Sequence, residues 1–257
     1  MKKHLLAATI AAALLPAAAH AAPCSTTTDE EASTPLLYSA REGDTNNVRC
    51  LLDNGANINA ADGEGNTALM LAASRDDNTG TVRLLIEKGA AVGATNKNNW
   101  TALMTAAQYG QTDTIRLLLE KGANIHATDE DGWTPLILAA QEGYADTLKL
   151  LIEKGANVNA AKKNGITALM IAAFGGYTDA TRLLLDKGGN VNATDNEGRT
   201  ALINAAYAGH TDTVRLLLEK GADVNAADKE GKTALSYAKE RSHAETVKLL
   251  QSAGAKK

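Results

Sequence analysis

Residues 101–122 read Thr101-Ala-Leu-Met-Thr-Ala-Ala-Gln-Tyr-Gly110-Gln-Thr-Asp-Thr-Ile-Arg-Leu-Leu-Leu-Glu-Lys-Gly122. Thr101 is a good helix N-cap, because its hydroxyl can accept from a free backbone N–H of the first turn. Small and apolar residues follow with no β-branched run, which favours helix, and Gly110 ends it. A second helix is expected from about Thr112 to Lys121, with Ile115, Leu118 and Leu119 at helical spacing. Gly122 is its C-cap, where a left-handed conformation is cheap only without a Cβ. The polar, turn-rich stretch 123–132 reads as an extended loop with a tight turn. The unit is therefore two short antiparallel helices and a projecting loop. Helices this short are not stable alone, so the unit must be stacked on others.

The rest of the chain supplies the others. Thr34, Thr67, Thr101, Thr134, Thr167, Thr200 and Thr233 recur at spacings of 33 or 34 residues, and Gly55, Gly89, Gly122, Gly155, Gly188, Gly221 and Gly254 keep the same interval. Such a period is the signature of a repeat array in which each copy contacts its neighbours. The expected fold is all-α, a solenoid of seven units at about 34–66, 67–100, 101–133, 134–166, 167–199, 200–232 and 233–257. Aromatics make up only 4% of the chain, which suits thin packed helices better than a thick globular core. The second unit carries one extra residue within Ser74 to Thr81 and lacks the turn glycine, so a local bulge is expected there.

The strings Gly-x-Thr-Ala-Leu-Met-x-Ala-Ala and Leu-Leu-Glu-Lys-Gly-Ala-x-Val-Asn-Ala resemble ankyrin repeats from Thr34 to the C-terminus. The resemblance implies stacked helix-turn-helix units with projecting β-turn loops, and a concave face of loop tips and first helices that binds another protein. A protein binder of this kind is expected to be an adaptor or inhibitor, and within that class an immunity or accessory protein; the resemblance adds a stress-related helper, since similar bacterial ankyrin proteins accompany catalases. The family's Thr-Pro-Leu-His becomes Thr-Ala-Leu-Met at Thr67, Thr101 and Thr167, and only Thr34-Pro35 and Thr134-Pro135 keep the proline. Met or Ile in place of that histidine removes a hydrogen bond to the threonine, which bears on stability and not on fold.

Residues 1–21 stand apart. Lys2 and Lys3 precede an apolar run from Leu5 to Leu15, then Pro16 and Ala19-His20-Ala21. This reads as a secretory signal peptide cleaved after Ala21. The run is too short for a span of roughly 20 apolar residues, so no membrane insertion of the mature form is expected. Taking Lys2 and Lys3 from the 26 basic residues leaves 24 against 30 acidic ones, a net charge of −6. No basic stripe points to nucleic acid. Residues 22–33 form an N-terminal segment. An exported chain folds in an oxidising compartment, the periplasm or the outside of the cell, and its two cysteines, Cys24 and Cys50, are expected to pair. The other reading makes Cys50 a small core residue at the place of Leu117.

Chemistry is harder to find. His126, His210 and His243 lie in three different units, and no spacing fits a zinc site or a nucleophile with its base. Gly175-Gly176 lacks the Lys-Ser/Thr of a phosphate loop. No cofactor, metal or enzymatic activity is expected, although a small-ligand binder or enzyme is the competing class. Arg83–Glu87, Arg116–Glu120, Lys149–Glu153, Arg182–Asp186 and Arg215–Glu219 recur at i,i+4 and read as a solvated face. Specificity should lie where the copies differ. Just before each repeating threonine stand Asn66, Trp100, Trp133, Ile166, Arg199 and Lys232, and near the end of the first helix stand Tyr109, Phe174 and Tyr207. A core column would not accept Asn, Arg and Lys, so exposure is expected, and exposed aromatics are typical interface anchors. Trp100, Trp133, Ile166, Phe174, Tyr109 and Tyr207 are expected to form one apolar stripe, with Arg199 beside it, that docks a partner protein on a monomeric chain.

Overall fold

The computed structural model describes residues 23–27 and 34–256. Residues 1–21, expected to be a signal peptide, and most of 22–33 lie outside these. Among the described residues, α-helices alternate in two rows. The first helices are α1 (Pro35–Glu42), α3 (Ala68–Ala72), α5 (Ala102–Gln108), α7 (Pro135–Gln141), α9 (Ala168–Phe174), α11 (Ala201–Ala208) and α13 (Ala234–Glu240). The second helices are α2 (Thr45–Asp53), α4 (Thr79–Glu87), α6 (Thr112–Glu120), α8 (Ala145–Glu153), α10 (Thr178–Asp186), α12 (Thr211–Glu219) and α14 (Ala244–Ser252). Each helix packs on its partner in the pair and on the same helix of the next pair. This is the all-α solenoid that the period implies.

The periodic threonines start every first helix. Each hydroxyl accepts from the N–H three residues on, from Thr34 with Leu37 to Thr233 with Ser236, at 3.2–3.4 Å. A cap of this kind contributes about 1 kcal/mol. The alanine pairs that follow, such as Ala106-Ala107 and Ala139-Ala140, are fully buried, because neighbouring first helices meet there with no room for a larger side chain. Leucine pairs of the second helices fill the other layer: Leu84-Leu85, Leu117-Leu118, Leu150-Leu151 and Leu216-Leu217 are buried. In α10 only Leu184 of the pair is buried, and Leu183 is half-buried.

A second hydrogen-bonded line ties the second helices together. The threonine at the start of one bonds the threonine two residues into the next: Thr45–Thr81 (2.7 Å), Thr79–Thr114 (3.2 Å), Thr112–Thr147 (3.0 Å), Thr178–Thr213 (2.9 Å) and Thr211–Thr246 (2.8 Å). The rung between the fourth and fifth pairs is missing. Ala145 and Ala180 stand where its two hydroxyls would be. The next residue, Thr181, occupies a column otherwise held by Val48, Val82, Ile115, Leu148, Val214 and Val247, and its hydroxyl is buried with no partner.

The turns inside the pairs interlock. A ring from each of several units lies on the turn glycine of the unit before: Tyr144 on Gly110, Tyr177 on Gly143, His210 on Gly176 and His243 on Gly209. A Cβ on Gly143 would stand 2.5 Å from the Tyr177 ring, and its φ of +73° is left-handed. Ser242 occupies the same turn in the last unit at φ 61°, a place that no following ring covers. In the second unit the expected bulge is a short 3-10 turn, Asp76–Asn78. Its buried Asn78 reaches back to donate to the carbonyls of Ala40 and Arg41.

The ion pairs differ from expectation. Among the described residues the i,i+4 pairs of the second helices do not close. Instead Lys88 meets Asp53 at 2.7 Å and Lys220 meets Asp186 at 2.6 Å, each across adjacent units. These basic residues follow the helix ends, where their side chains reach the preceding helix more easily than their own. As exposed pairs they add little stability, although each lysine holds its aspartate below the usual carboxylate range. At the N-terminal end Cys24 and Cys50 are bonded, their Cα atoms 5.7 Å apart. Asn47 fixes the same segment by accepting from the Ser25 N–H and donating to its carbonyl.

Candidate partner-binding face

The projecting loops are built on one carboxylate or amide each. Asp62, Asn96, Asp129, Asp195 and Asp228 turn a side-chain oxygen inward to accept two backbone N–H groups, two and four residues on. This folds residues 195–199, for example, into a tight finger. Neighbouring fingers are joined by backbone bonds such as Lys229 N–H to Glu197 C=O (2.9 Å) and Asn196 N–H to Asn164 C=O (2.9 Å). The fourth finger has Lys162 in place of the Asx residue, and its ammonium lies 3.7 Å over the Trp133 ring of the finger before it.

The residue before each threonine is neither core nor free. Asn66 donates to Asp62 at 2.9 Å. Trp100 donates its indole N–H to the Thr105 hydroxyl at 3.0 Å. Arg199 donates Nε to Asp195 at 3.0 Å, and Lys232 meets Glu240 at 2.8 Å. Trp100, Trp133 and Ile166 are half-buried and pack against the core. The column accepts unlike residues because each finds its own polar or apolar partner locally. The variation that argues against a core position therefore does not require free exposure.

Of the six side chains expected as one stripe, direct contacts join only some. Tyr109 is 50% exposed at the end of α5, near Tyr144 of the next turn. The two tryptophans make no ring contact with each other or with Phe174 among the described residues. Phe174, 52% exposed, stacks on Tyr207 with centroids 6.3 Å apart, and Tyr207 meets Tyr237 edge-on at 5.6 Å. Arg241 lies over the Tyr207 ring and donates to its hydroxyl. Ile166 and Arg199 line the same region, with Ile171, Met170, Asp195 and Asn204, around a depression of about 240 Å³. Contacts and a shared depression thus link Ile166, Phe174, Tyr207 and Arg199, and among the described residues no ring contact joins Trp100, Trp133 or Tyr109 to them.

Tyr237 was not anticipated, although its place four residues after Thr233 puts it one helical turn along the same face. Its hydroxyl donates to Asp228 at 2.6 Å. That bond, with burial, pushes the phenol up to about 12. For Asp228 burial works upward, but the bonds from Tyr237 and from the Lys232 and Glu230 N–H groups outweigh it and lower its pKa. The finger base and the aromatic group are therefore one rigid assembly.

A family model described as ankyrin repeats, three copies, matches residues 6–96, 75–162 and 169–257. The chain belongs to the ankyrin-repeat family. Its threonine caps, paired helices and fingers are the parts of that repeat, and the family is a protein–protein interaction module, typically non-enzymatic. No curated protein matches the chain. Among the described residues, no group of three or more His, Cys, Asp and Glu comes together as a metal site, and no helix is long and apolar enough to cross a membrane.

Proposed function

We propose that this ankyrin-repeat chain is exported to the periplasm, loses residues 1–21, and captures another protein on the face formed by its fingers and first helices, as an adaptor or inhibitor. The observation that carries the reading is the aromatic group of the fifth to seventh repeats. Phe174 stands half out of the protein beside a largely apolar depression, whose polar rim includes the Asp195–Arg199 pair. Aromatic anchors beside a pocket are the usual seat of binding energy in protein interfaces. Export is supported by the charged, apolar and Ala-x-Ala order of residues 1–21 and by the Cys24–Cys50 bond.

The test is affinity capture from periplasmic extract with the mature chain and with a Phe174→Ala, Tyr207→Ala double variant. One stoichiometric protein should be held by the first and lost by the second, while circular dichroism shows both folded at the assay temperature. Equal capture by both would refute the assignment of the face. A chain recovered in the cytoplasm with residues 1–21 intact would refute export.

A further inference from the structure

We propose that the depression between α9 and α11 seats one apolar side chain of the partner protein, and that Arg199 at its rim grips an acidic side chain adjacent to it in the partner's sequence. This rests on the binding reading above and specifies the partner's chemistry.

Size and lining give the first half. Ile166, Met170, Ile171 and Phe174 give it an apolar lining. At about 240 Å³ the space falls below the roughly 300–1,000 Å³ of small-molecule pockets. It suits a single leucine-sized or phenylalanine-sized side chain presented by a protein.

Arg199 gives the second half. Its Nε is held by Asp195, whose side chain is 2% exposed. The other oxygen of Asp195 takes the N–H groups of Glu197 and Arg199, so the carboxylate has little left to offer. The guanidinium is thereby fixed in orientation. Its two terminal nitrogens have no hydrogen bond or ion pair among the described residues, and the side chain is 42% exposed. A held guanidinium with its outer edge open is the geometry that receives a carboxylate through two parallel bonds. Three neighbouring cations are engaged: Lys232 on Glu240, Arg241 on Tyr207, and Lys162 over Trp133.

The two halves are coupled by desolvation. A partner that covers Phe174 and Ile171 also strips water from Arg199. Charged donors buried without acceptors are costly, so a purely apolar segment would lose much of what it gains. An adjacent carboxylate supplies the missing acceptors. A side-chain amide of the same shape offers one acceptor and no charge. The site should therefore separate Leu-Asp from Leu-Asn much more sharply than an apolar pocket alone could.

The experiment uses the mature chain and three blocked peptides with Gly/Ser flanks, carrying Leu-Asp, Leu-Asn or Ala-Asp. Binding is followed by NMR at the Arg199 side-chain N–H and the Phe174 ring. Leu-Asp should bind about tenfold tighter than either of the others, with both signals moving. Arg199→Gln, its fold checked by circular dichroism, should erase the Asp-over-Asn preference and keep the preference for Leu over Ala. No binding by Leu-Asp, equal binding of Leu-Asp and Leu-Asn, or signals moving elsewhere would overturn the proposal. If the periplasmic partner is lost by the Phe174→Ala, Tyr207→Ala variant but held as strongly by Arg199→Gln, the binding face stands and this inference fails.

Discussion

Replacing Thr181 with valine should make the protein more stable. Thr181 is 0% exposed and its hydroxyl has no hydrogen-bond partner. Valine has nearly the same shape and is what the equivalent column holds at Val48, Val82 and Val214, all 0% exposed. The substitution removes a buried hydroxyl whose unmet desolvation costs about 1–3 kcal/mol, and it adds a buried methyl worth somewhat under 1 kcal/mol. Discounting for local relaxation, a net gain of about 1–2 kcal/mol is expected. Urea unfolding followed by circular dichroism at 25 °C would read this as a raised midpoint with an unchanged slope. The reverse change in the neighbouring repeat, Val214→Thr, should cost a similar amount. An unchanged or lowered midpoint for Thr181→Val would refute the reasoning, because it would mean that the hydroxyl has an acceptor.

Gly143→Ala should cost at least about 1 kcal/mol more than Gly122→Ala in the same assay: both residues are left-handed, but only Gly143 is covered by a ring, that of Tyr177. The Tyr237–Asp228 bond needs a neutral phenol and an ionised carboxylate. Its contribution should be whole between the ordinary values of 3.8 and 10.0, fading as pH falls below 3.8 toward the lowered Asp228 pKa and as it rises from 10.0 to about 12. The stability difference between wild type and Tyr237→Phe, measured against pH, should therefore be a plateau with both shoulders, and a flat or sloping difference would contradict it. Reducing Cys24–Cys50, which closes a separation of 26 residues, should lower stability by about 3 kcal/mol in the chain-entropy account, measured as the shift in urea midpoint with and without reductant.

The sequence carried the architecture because caps and stops are local. Thr101 needs only its own first turn to cap α5, and Gly110 and Gly122 need only their own backbone to end helices, so each is legible within a single copy. The contacts between copies were not. The Thr112–Thr147 rung joins residues in different columns of the repeat, so a comparison of like positions with like passes it by. The half-burial of Trp100 escaped for a related reason: the polar residues at equivalent places suggested exposure, yet the indole finds Thr105 just as Arg199 finds Asp195. Phe174 was legible as an exposed aromatic at a helix end, but its stacking on Tyr207 depends on how far one repeat is rotated against the next.

The rings that lie on turn glycines change what counts as one copy. A helix pair cut at its threonine keeps its own caps and leucines, but it carries a ring that needs a bare backbone upstream and a bare backbone that needs a ring downstream. Shuffling pairs at the threonine boundary would set Asn78 or Gln111 over turns that now hold Tyr144 or Tyr177. The interchangeable module runs instead from one turn glycine to the ring that covers it. Lengthening, shortening or recombining the array should succeed at joints that keep that couple intact and fail at joints that divide it.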